Sequence, residues 1–223
     1  MWVKICGIRD AATVEALAEA NAVGLNFYAH TPRNVSLKKA ADIVEMLPES
    51  VLPVGLFVNA PPEEILSVCR RSGLRVVQLH GDETPEFLAE LQRLDENLQI
   101  IRALHLGSQG MQPVAEYLQA CRSLDLRLFA CLLDAKSDSA FGGTGQTLNW
   151  ELVRNEFQRD DWPRLILAGG LHPGNVAEAI ATVKPWGVDV ASGVESAPGI
   201  KDPQLVRQFI RKAKSAFRSL ESA

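Results

Sequence analysis

The sequence of 223 residues has no long hydrophobic run. No window approaches the roughly 18 uninterrupted apolar residues that a transmembrane helix requires. The N-terminal residues MWVKICG contain no apolar stretch suited to a signal peptide. We therefore expect a cytoplasmic protein that does not contact a membrane.

Clusters of basic residues are also missing. The chain has 23 Lys and Arg against 27 Asp and Glu, which gives a formal net charge of −4. No basic block alternates with aromatic residues, and this argues against a nucleic-acid-binding surface. The expected partner is a small-molecule substrate, and the composition is compatible with either a monomer or a homodimer.

Cysteine is scarce, with four residues in the whole chain. They are scattered, and they are Cys6, Cys69, Cys121 and Cys131. No CxxC is present, and no group of His, Cys, Asp and Glu has a spacing typical of metal ligands. We expect free thiols, no metal and no cofactor, so the chemistry predicted is proton transfer between side chains and substrate.

What the chain does contain is a regular alternation of short apolar runs with longer amphipathic segments. The apolar runs, typical of parallel strands buried on both faces, are residues 2–5, 22–27, 51–58, 75–79, 99–104, 126–133, 164–168 and 187–191. The helix-like segments are roughly residues 11–20, 37–47, 62–71, 84–94, 112–122, 148–158, 173–183 and 203–218. Eight such units predict an α/β fold, a (β/α)₈ TIM barrel forming a single domain over residues 1–223. The alternative is a doubly wound open sheet, but no GxGxxG follows the first strand.

In a TIM barrel the active site lies at the carboxyl ends of the strands. Cys6 ends the first strand, where a thiol near helix N-termini can have a lowered pKa and serve as a base or a nucleophile. A buried cysteine that acts as a small hydrophobe is the alternative. Asp134 ends an otherwise apolar strand, where a carboxyl group suits a general acid or a structural cap of the following loop.

Glycine-rich turns follow the seventh and eighth strands. Backbone N–H groups in such turns can approach a phosphate closely, although any barrel also needs tight turns between strands and helices. The turns contain Gly169-Gly170 and Ser192-Gly193. A further glycine-rich loop, Gly142–Gly145, suits either a mobile lid or a flexible connector.

Two polar side chains at the predicted mouth have open roles. Arg33 follows Pro32 and suits bidentate binding of a carboxylate, although a loop arginine is often a solvated charge. His80 follows the fourth strand and is either a substrate ligand or a hydrogen-bonded loop histidine.

These residues belong to motifs that resemble the phosphoribosylanthranilate isomerase family of tryptophan biosynthesis. In chain order, the motifs are KICGIRD (4–10), NFYAHTPRNVS (26–36), VGLFVN (54–59), VQLHGDE (77–83), LLDA (132–135), FGGTGQTLNW (141–150), LAGGLHPGNVAEAI (167–180) and GVDVASGVESAPGIKD (187–202). One motif alone carries little weight, but all of them in order make the resemblance specific.

The resemblance implies an Amadori rearrangement of N-(5′-phosphoribosyl)anthranilate to 1-(o-carboxyphenylamino)-1-deoxyribulose 5-phosphate. It implies that Asp134 is the acid that opens the ribose ring and that Cys6 is the base that removes the C2′ proton. Arg33 would hold the anthranilate carboxylate. The phosphate would be held by the turns that contain Gly169, Gly170, Ser192 and Gly193, with Asp189 nearby. His80 and Asp82 match a motif at the mouth.

Two short motifs depart from the pattern of the family, which often has Ser-Pro-Arg in place of Thr31-Pro32-Arg33 and Phe-Asp-Trp in place of Leu148-Asn149-Trp150. Thr31 stands where the family often has serine and keeps the hydroxyl group. Asn149 stands where the family often has aspartate, and asparagine caps a helix nearly as well.

Three other functions remain as alternatives. Indole-glycerol-phosphate synthase would need a catalytic lysine and glutamate at strand ends, and Lys4 alone does not meet that requirement. A ribulose-phosphate epimerase would need metal-binding histidines and carboxylates, a pattern that the four histidines do not show along the chain. A barrel that only binds a phosphate metabolite or a protein would not need both Cys6 and Asp134.

Overall fold

The computed structural model describes residues 1–135 and 148–221. Eight parallel strands close into a barrel in chain order, which confirms the predicted fold class and excludes the open sheet. The strands are β1 Trp2–Cys6, β2 Ala22–Asn26, β3 Leu52–Phe57, β4 Val76–Leu79, β5 Gln99–Leu106, β6 Ala130–Ala135, β7 Leu165–Leu167 and β8 Gly187–Val190. The predicted loop Gly142–Gly145 lies outside the described residues.

Helices surround the barrel. They are α1 Leu37–Met46, α2 Pro62–Ser72, α3 Pro85–Leu94, α4 Gln112–Ser123, α5 Trp150–Glu156, α6 Val176–Val183 and α7 Pro203–Glu221. A 3₁₀ helix over Ala11–Leu17 takes the place of the first predicted helix. Within residues 1–135 and 148–221, no helix has the length and the apolar composition to cross a membrane.

Several helices begin where their capping residues predict. The Thr84 side chain accepts a hydrogen bond from Phe87 N, and α3 starts at Pro85. Asp202 similarly accepts from the backbone N–H groups of the first turn of α7. Asn149 accepts from Leu152 N at 3.1 Å, so the asparagine does cap α5. Each side chain satisfies an N–H group that the helix itself cannot pair.

The two-residue period of a strand explains how the barrel is filled. On β1, Val3 and Ile5 face the helices and belong to the outer core. The alternate residues Trp2, Lys4 and Cys6 face inward. Trp2 packs at the bottom with the inner core, which also contains Val54, Ile101, Leu132 and Ile166. The inward side therefore changes from apolar at the bottom to polar at the mouth.

Several elements differ from prediction. Strand β6 starts at Ala130 because Leu126 N donates a hydrogen bond to Cys121 O and closes α4 instead. Helix α6 starts at Val176 because His172 and Asn175 form a turn before it. A short antiparallel hairpin, β9 Glu195–Ala197 and β10 Ile200–Lys201, was not predicted.

Candidate active site

A cavity lies at the carboxyl ends of the strands, where small-molecule sites of this type of barrel are found. Its lining residues are Cys6, Asn26, Tyr28, Thr31, Arg33, Leu56, Val58, Gln78, His80, Asp134, Ala168, Gly169, Gly170, Leu171, Asp189, Val190, Ala191 and Ser192. Cys6 and Asp134 therefore face the same cavity from β1 and β6, which are separated by β7 and β8.

Cys6 is buried beside the ammonium group of Lys4. Lys4 is fully buried, and its Nζ donates to Asp189 Oδ1 at 3.0 Å. Burial raises the pKa of Cys6, while the charges of Lys4 and Lys201 oppose this effect. The lowered pKa expected for this thiol is therefore not found, because burial is the largest influence on it. Burial alone would lower the pKa of Lys4, but Asp189 and Cys6 raise it, so Lys4 stays charged at neutral pH.

A second buried charge cluster adjoins the first. Lys201 Nζ donates to Ala191 O and to Glu195 Oε1, both at 2.8 Å. Arg33 binds the same carboxylate through Nε and Nη2, at 2.8 Å and 2.9 Å. Glu195 therefore engages two of the three guanidinium nitrogens of Arg33. Burial opposes ionisation, but the hydrogen bond from Arg33 and the charge of Lys201 lower the pKa of Glu195.

Asp134 is buried at the end of β6. Its Oδ1 accepts a hydrogen bond from Ala135 N at 2.8 Å, and its Oδ2 lies 3.5 Å from His80 Nε2. His80 Nδ1 in turn lies 2.9 Å from Gln78 Nε2. The backbone of Gly169 passes directly over Asp134: a Cβ added there would lie 3.0 Å from Asp134 Oδ1. These neighbours restrict the rotation of the carboxyl group, and Asp134 lines the cavity.

The two glycine-rich turns that were expected to hold a phosphate both lie at this cavity. Gly170 and Ser192 both line the cavity, and Asn175 Nδ2 holds the first turn by donating to Gly170 O at 2.9 Å. Gly193 does not line the cavity but is required by packing, because an added Cβ would collide with Leu171 O. Asp189 is engaged by Lys4, so it contributes by placing that cation.

Asp82 is a predicted site residue that lies outside this arrangement. It is exposed, does not line the cavity, and pairs with the side chain of Asn59. The next residue, Glu83, is buried and accepts from Asn59 N, Gly81 N and Arg102 Nη1. The motif after β4 therefore ties neighbouring strand ends together, and of its polar residues only His80 reaches the cavity.

His105 was missed by the sequence analysis. It lies inside β5, one residue beyond the predicted end of that strand, and pairs in register with Asp134. Burial and the neighbouring His80 lower the pKa of His105. A strand pattern extended by one inward position would have found it. Lys4 and Lys201 were also missed as members of the site.

Comparison with known proteins gives consistent matches. A family model described as N-(5'phosphoribosyl)anthranilate (PRA) isomerase matches residues 3–212. A protein of Trichlorobacter lovleyi named N-(5'-phosphoribosyl)anthranilate isomerase is 46% identical over 219 residues, which cover 96% of this chain and 98% of that protein. A protein of the same name from Thermotoga neapolitana is 44% identical over 214 residues, covering 95% and 98%.

Solved structures show the same similarity. The phosphoribosyl anthranilate isomerase of Thermotoga maritima has a TM-score of 0.82 and 37% identity, with 96% of this chain and 99% of that chain covered. A structure of such an isomerase in complex with reduced 1-(o-carboxyphenylamino)-1-deoxyribulose 5-phosphate has a TM-score of 0.79 and 36% identity, with the same coverage. A further structure, of mutually generated monomers of the dimeric Thermotoga maritima isomerase, has a TM-score of 0.78 and 36% identity, with 96% of this chain and 99% of that chain covered.

Proposed function

The chain belongs to the N-(5′-phosphoribosyl)anthranilate isomerase family and is a phosphoribosylanthranilate isomerase of tryptophan biosynthesis, and we propose that Asp134 and Cys6 are its general acid and base. The observation that carries this assignment is that both side chains face one cavity from different strands. An acid and a base on different sides of the substrate suit a reaction that protonates an oxygen and deprotonates a carbon.

The first step is ring opening. The carboxyl group of Asp134 donates its proton to the ribose ring oxygen, the bond from that oxygen to C1′ breaks, and the anilino nitrogen forms a Schiff base with C1′. His80 and Ala135 N hold the carboxyl group in place for this transfer. Correct orientation before reaction contributes a large part of the rate enhancement in such sites.

The second step is proton removal from C2′ by the Cys6 thiolate. This produces an enolamine, which tautomerises to the ketone with a proton delivered to C1′. The thiolate needs compensation in a buried site, and Lys4 and Lys201 supply it. This cluster contains three cations, Lys4, Lys201 and Arg33, and only two carboxylates, those of Asp189 and Glu195. The Cys6 thiolate would balance the remaining positive charge.

Substrate binding completes the proposal. The turns at Gly169-Gly170 and Ser192-Gly193 would hold the phosphate through backbone N–H groups. Arg33 would hold the anthranilate carboxylate through Nη1, and His80 would contact the ribose. We assign Asp189 to positioning Lys4 and give Asp82 no direct contact with substrate. The whole chain, residues 1–223, is proposed to act as one barrel domain in the cytoplasm, either as a monomer or as a homodimer.

Turnover of phosphoribosylanthranilate tests the assignment. The substrate is generated in situ, and its loss is followed by fluorescence for the native chain, Cys6→Ser and Asp134→Asn. We expect rapid turnover by the native chain and a loss of at least about a hundredfold in each variant, as for removal of a general base or acid. Full activity in either variant would remove that residue from the mechanism. Asp82→Asn is the matched control, and it should turn over substrate at nearly the native rate.

A further inference from the structure

Three side chains that commonly bind metal ions meet at the mouth of the barrel. His80 follows β4, His105 lies in β5, and Asp134 lies in β6. Each offers one ligand atom, and these atoms all lie within 4.8 Å of one another. Because the three residues come from neighbouring strands, their separation along the chain gives no metal-binding spacing.

One ring nitrogen of each histidine in this group has no hydrogen bond within the described residues. His80 is only 8% exposed, and its Nε2 forms no hydrogen bond within the described part of the chain. His105 Nδ1 is likewise buried and has no partner among residues 1–135 and 148–221. A buried polar atom without a partner is unfavourable, and such atoms often indicate a group that is not present.

We propose that His80, His105 and Asp134 form a binding site for a divalent transition-metal ion such as Zn²⁺, and that the bound ion inhibits the isomerase. Two imidazoles and one carboxylate are a ligand set that Zn²⁺, Co²⁺ and Ni²⁺ accept, whereas Mg²⁺ and Ca²⁺ prefer oxygen ligands alone. Three protein ligands leave a coordination position for water.

The distances suit a site of this kind. Tetrahedral zinc with bonds of about 2.0–2.2 Å places its ligand atoms roughly 3.3 Å apart. His80 Nε2 and Asp134 Oδ2 are already 3.5 Å apart. His105 is partly exposed, so a small rotation of its ring brings its nitrogen to the ion without displacing the core.

Gln78 completes the site as an outer partner. Its side-chain amide lies 2.9 Å from His80 Nδ1, and its Oε1 has no hydrogen bond within the described residues. With the amide turned so that Oε1 accepts from Nδ1–H, His80 presents the lone pair of Nε2 to the ion. A hydrogen bond of this type fixes the tautomer of a metal-binding histidine.

Inhibition follows from the use of Asp134. An ion bound to its Oδ2 takes the place of the proton that the carboxyl group would donate, so the group can no longer protonate the ribose. This consequence rests on the proposed function, whereas binding of the ion does not.

Direct binding is the first test. Metal-free protein is titrated with Zn²⁺ by calorimetry and with Co²⁺ by visible absorption, for the native chain, His105→Leu and His30→Leu. His30 is an exposed histidine outside the group and serves as the matched control. We expect saturable binding in the native chain and in His30→Leu, and an affinity weaker by more than about tenfold in His105→Leu. Equal affinity in all three proteins would overturn the site, and so would loss of binding in Cys6→Ser, which would indicate a thiol site.

Inhibition is tested separately with the turnover assay. Zn²⁺ should inhibit the native chain, EDTA should reverse the inhibition, and His105→Leu should resist it relative to its own uninhibited rate. Binding without inhibition would overturn the inhibitory part of the proposal. If the native chain has no isomerase activity, the proposed function fails, while the calorimetric result still decides whether the metal site exists.

Discussion

Gly169 offers a sharp test of how the turn after β7 supports the acid. Its φ is +81°, and a Cβ added there would lie 2.7 Å from Ala135 N and 3.0 Å from Asp134 Oδ1. The left-handed conformation costs a residue with a side chain about 1–2 kcal/mol. Relieving the contact with the backbone costs a further 1–3 kcal/mol, approximately as for overpacking a core. Gly169→Ala should therefore lower the free energy of unfolding by about 2–5 kcal/mol, a fall in Tm of roughly 5–20 °C for a chain of this size.

Gly73 provides the matched control, because an added side chain there would meet the same backbone strain but no close contact. Its φ is +71°, and nothing lies within 4 Å of an added Cβ. Gly73→Ala should cost about 1–2 kcal/mol of stability and leave kcat unchanged. Gly169→Ala should also reduce kcat by more than about tenfold, because the new methyl group displaces the Asp134 carboxyl group.

Urea unfolding and turnover measure the two effects on the same preparations. Equal loss of stability in the two variants would show that the contact of the new methyl group with the end of β6 is relieved at little cost in free energy. An unchanged kcat in a folded Gly169→Ala protein would refute the positioning of Asp134 by this turn.

Two further predictions concern buried charges. Iodoacetamide reacts only with the thiolate, and burial raises the pKa of Cys6. The alkylation rate of Cys6 should therefore still rise about tenfold per pH unit at pH values above the ordinary pKa of a thiol. A plateau near neutral pH would contradict the raised pKa of Cys6. Lys4→Met should move the alkylation profile to higher pH and lower turnover at neutral pH, whereas Lys4→Arg should stay closer to the native chain in both measurements. No movement of the profile in Lys4→Met would contradict the role of the ammonium group. Arg102→Met should destabilise the chain by about 3–5 kcal/mol in urea, because it leaves Glu83 buried without its 2.9 Å partner. Lys38→Met, which breaks an exposed pair, should cost less than about 1 kcal/mol.

The positions of Cys6 and Asp134 could be predicted because they follow from backbone geometry. Each residue ends an apolar run, and a closed parallel barrel brings all strand ends to one face. The same reasoning placed Arg33, His80 and the two glycine turns at the mouth. It could not distinguish residues that face the cavity from residues that tie loops together, and Asp82 is the example: it directly follows Gly81 but bonds to Asn59 on the neighbouring strand end.

His105 shows a different limit of pattern reading. The apolar run 99–104 predicts a strand that ends at Leu104, but β5 continues to Leu106. Its register then pairs His105 with Asp134. The cluster of His80, His105 and Asp134 exists only after three strands are aligned, so no spacing between residues in the chain can reveal it. The four histidines therefore show no metal-binding spacing along the chain, although two of them lie beside Asp134 once the barrel has folded.

The surroundings of Cys6 depend on closure of the barrel itself. Lys4 follows the inward period of β1, so the sequence places it on the same side as Cys6. An ammonium group at that depth requires a counter-charge, and the residue that supplies it is Asp189, from the last strand. The two residues are paired in register where β8 closes against β1, and they are 185 positions apart in the chain. Since the charge that supports the thiolate is in place only when the barrel is closed, a chain that fails to form the β1–β8 pairing should lose the base even if Cys6 remains in its strand.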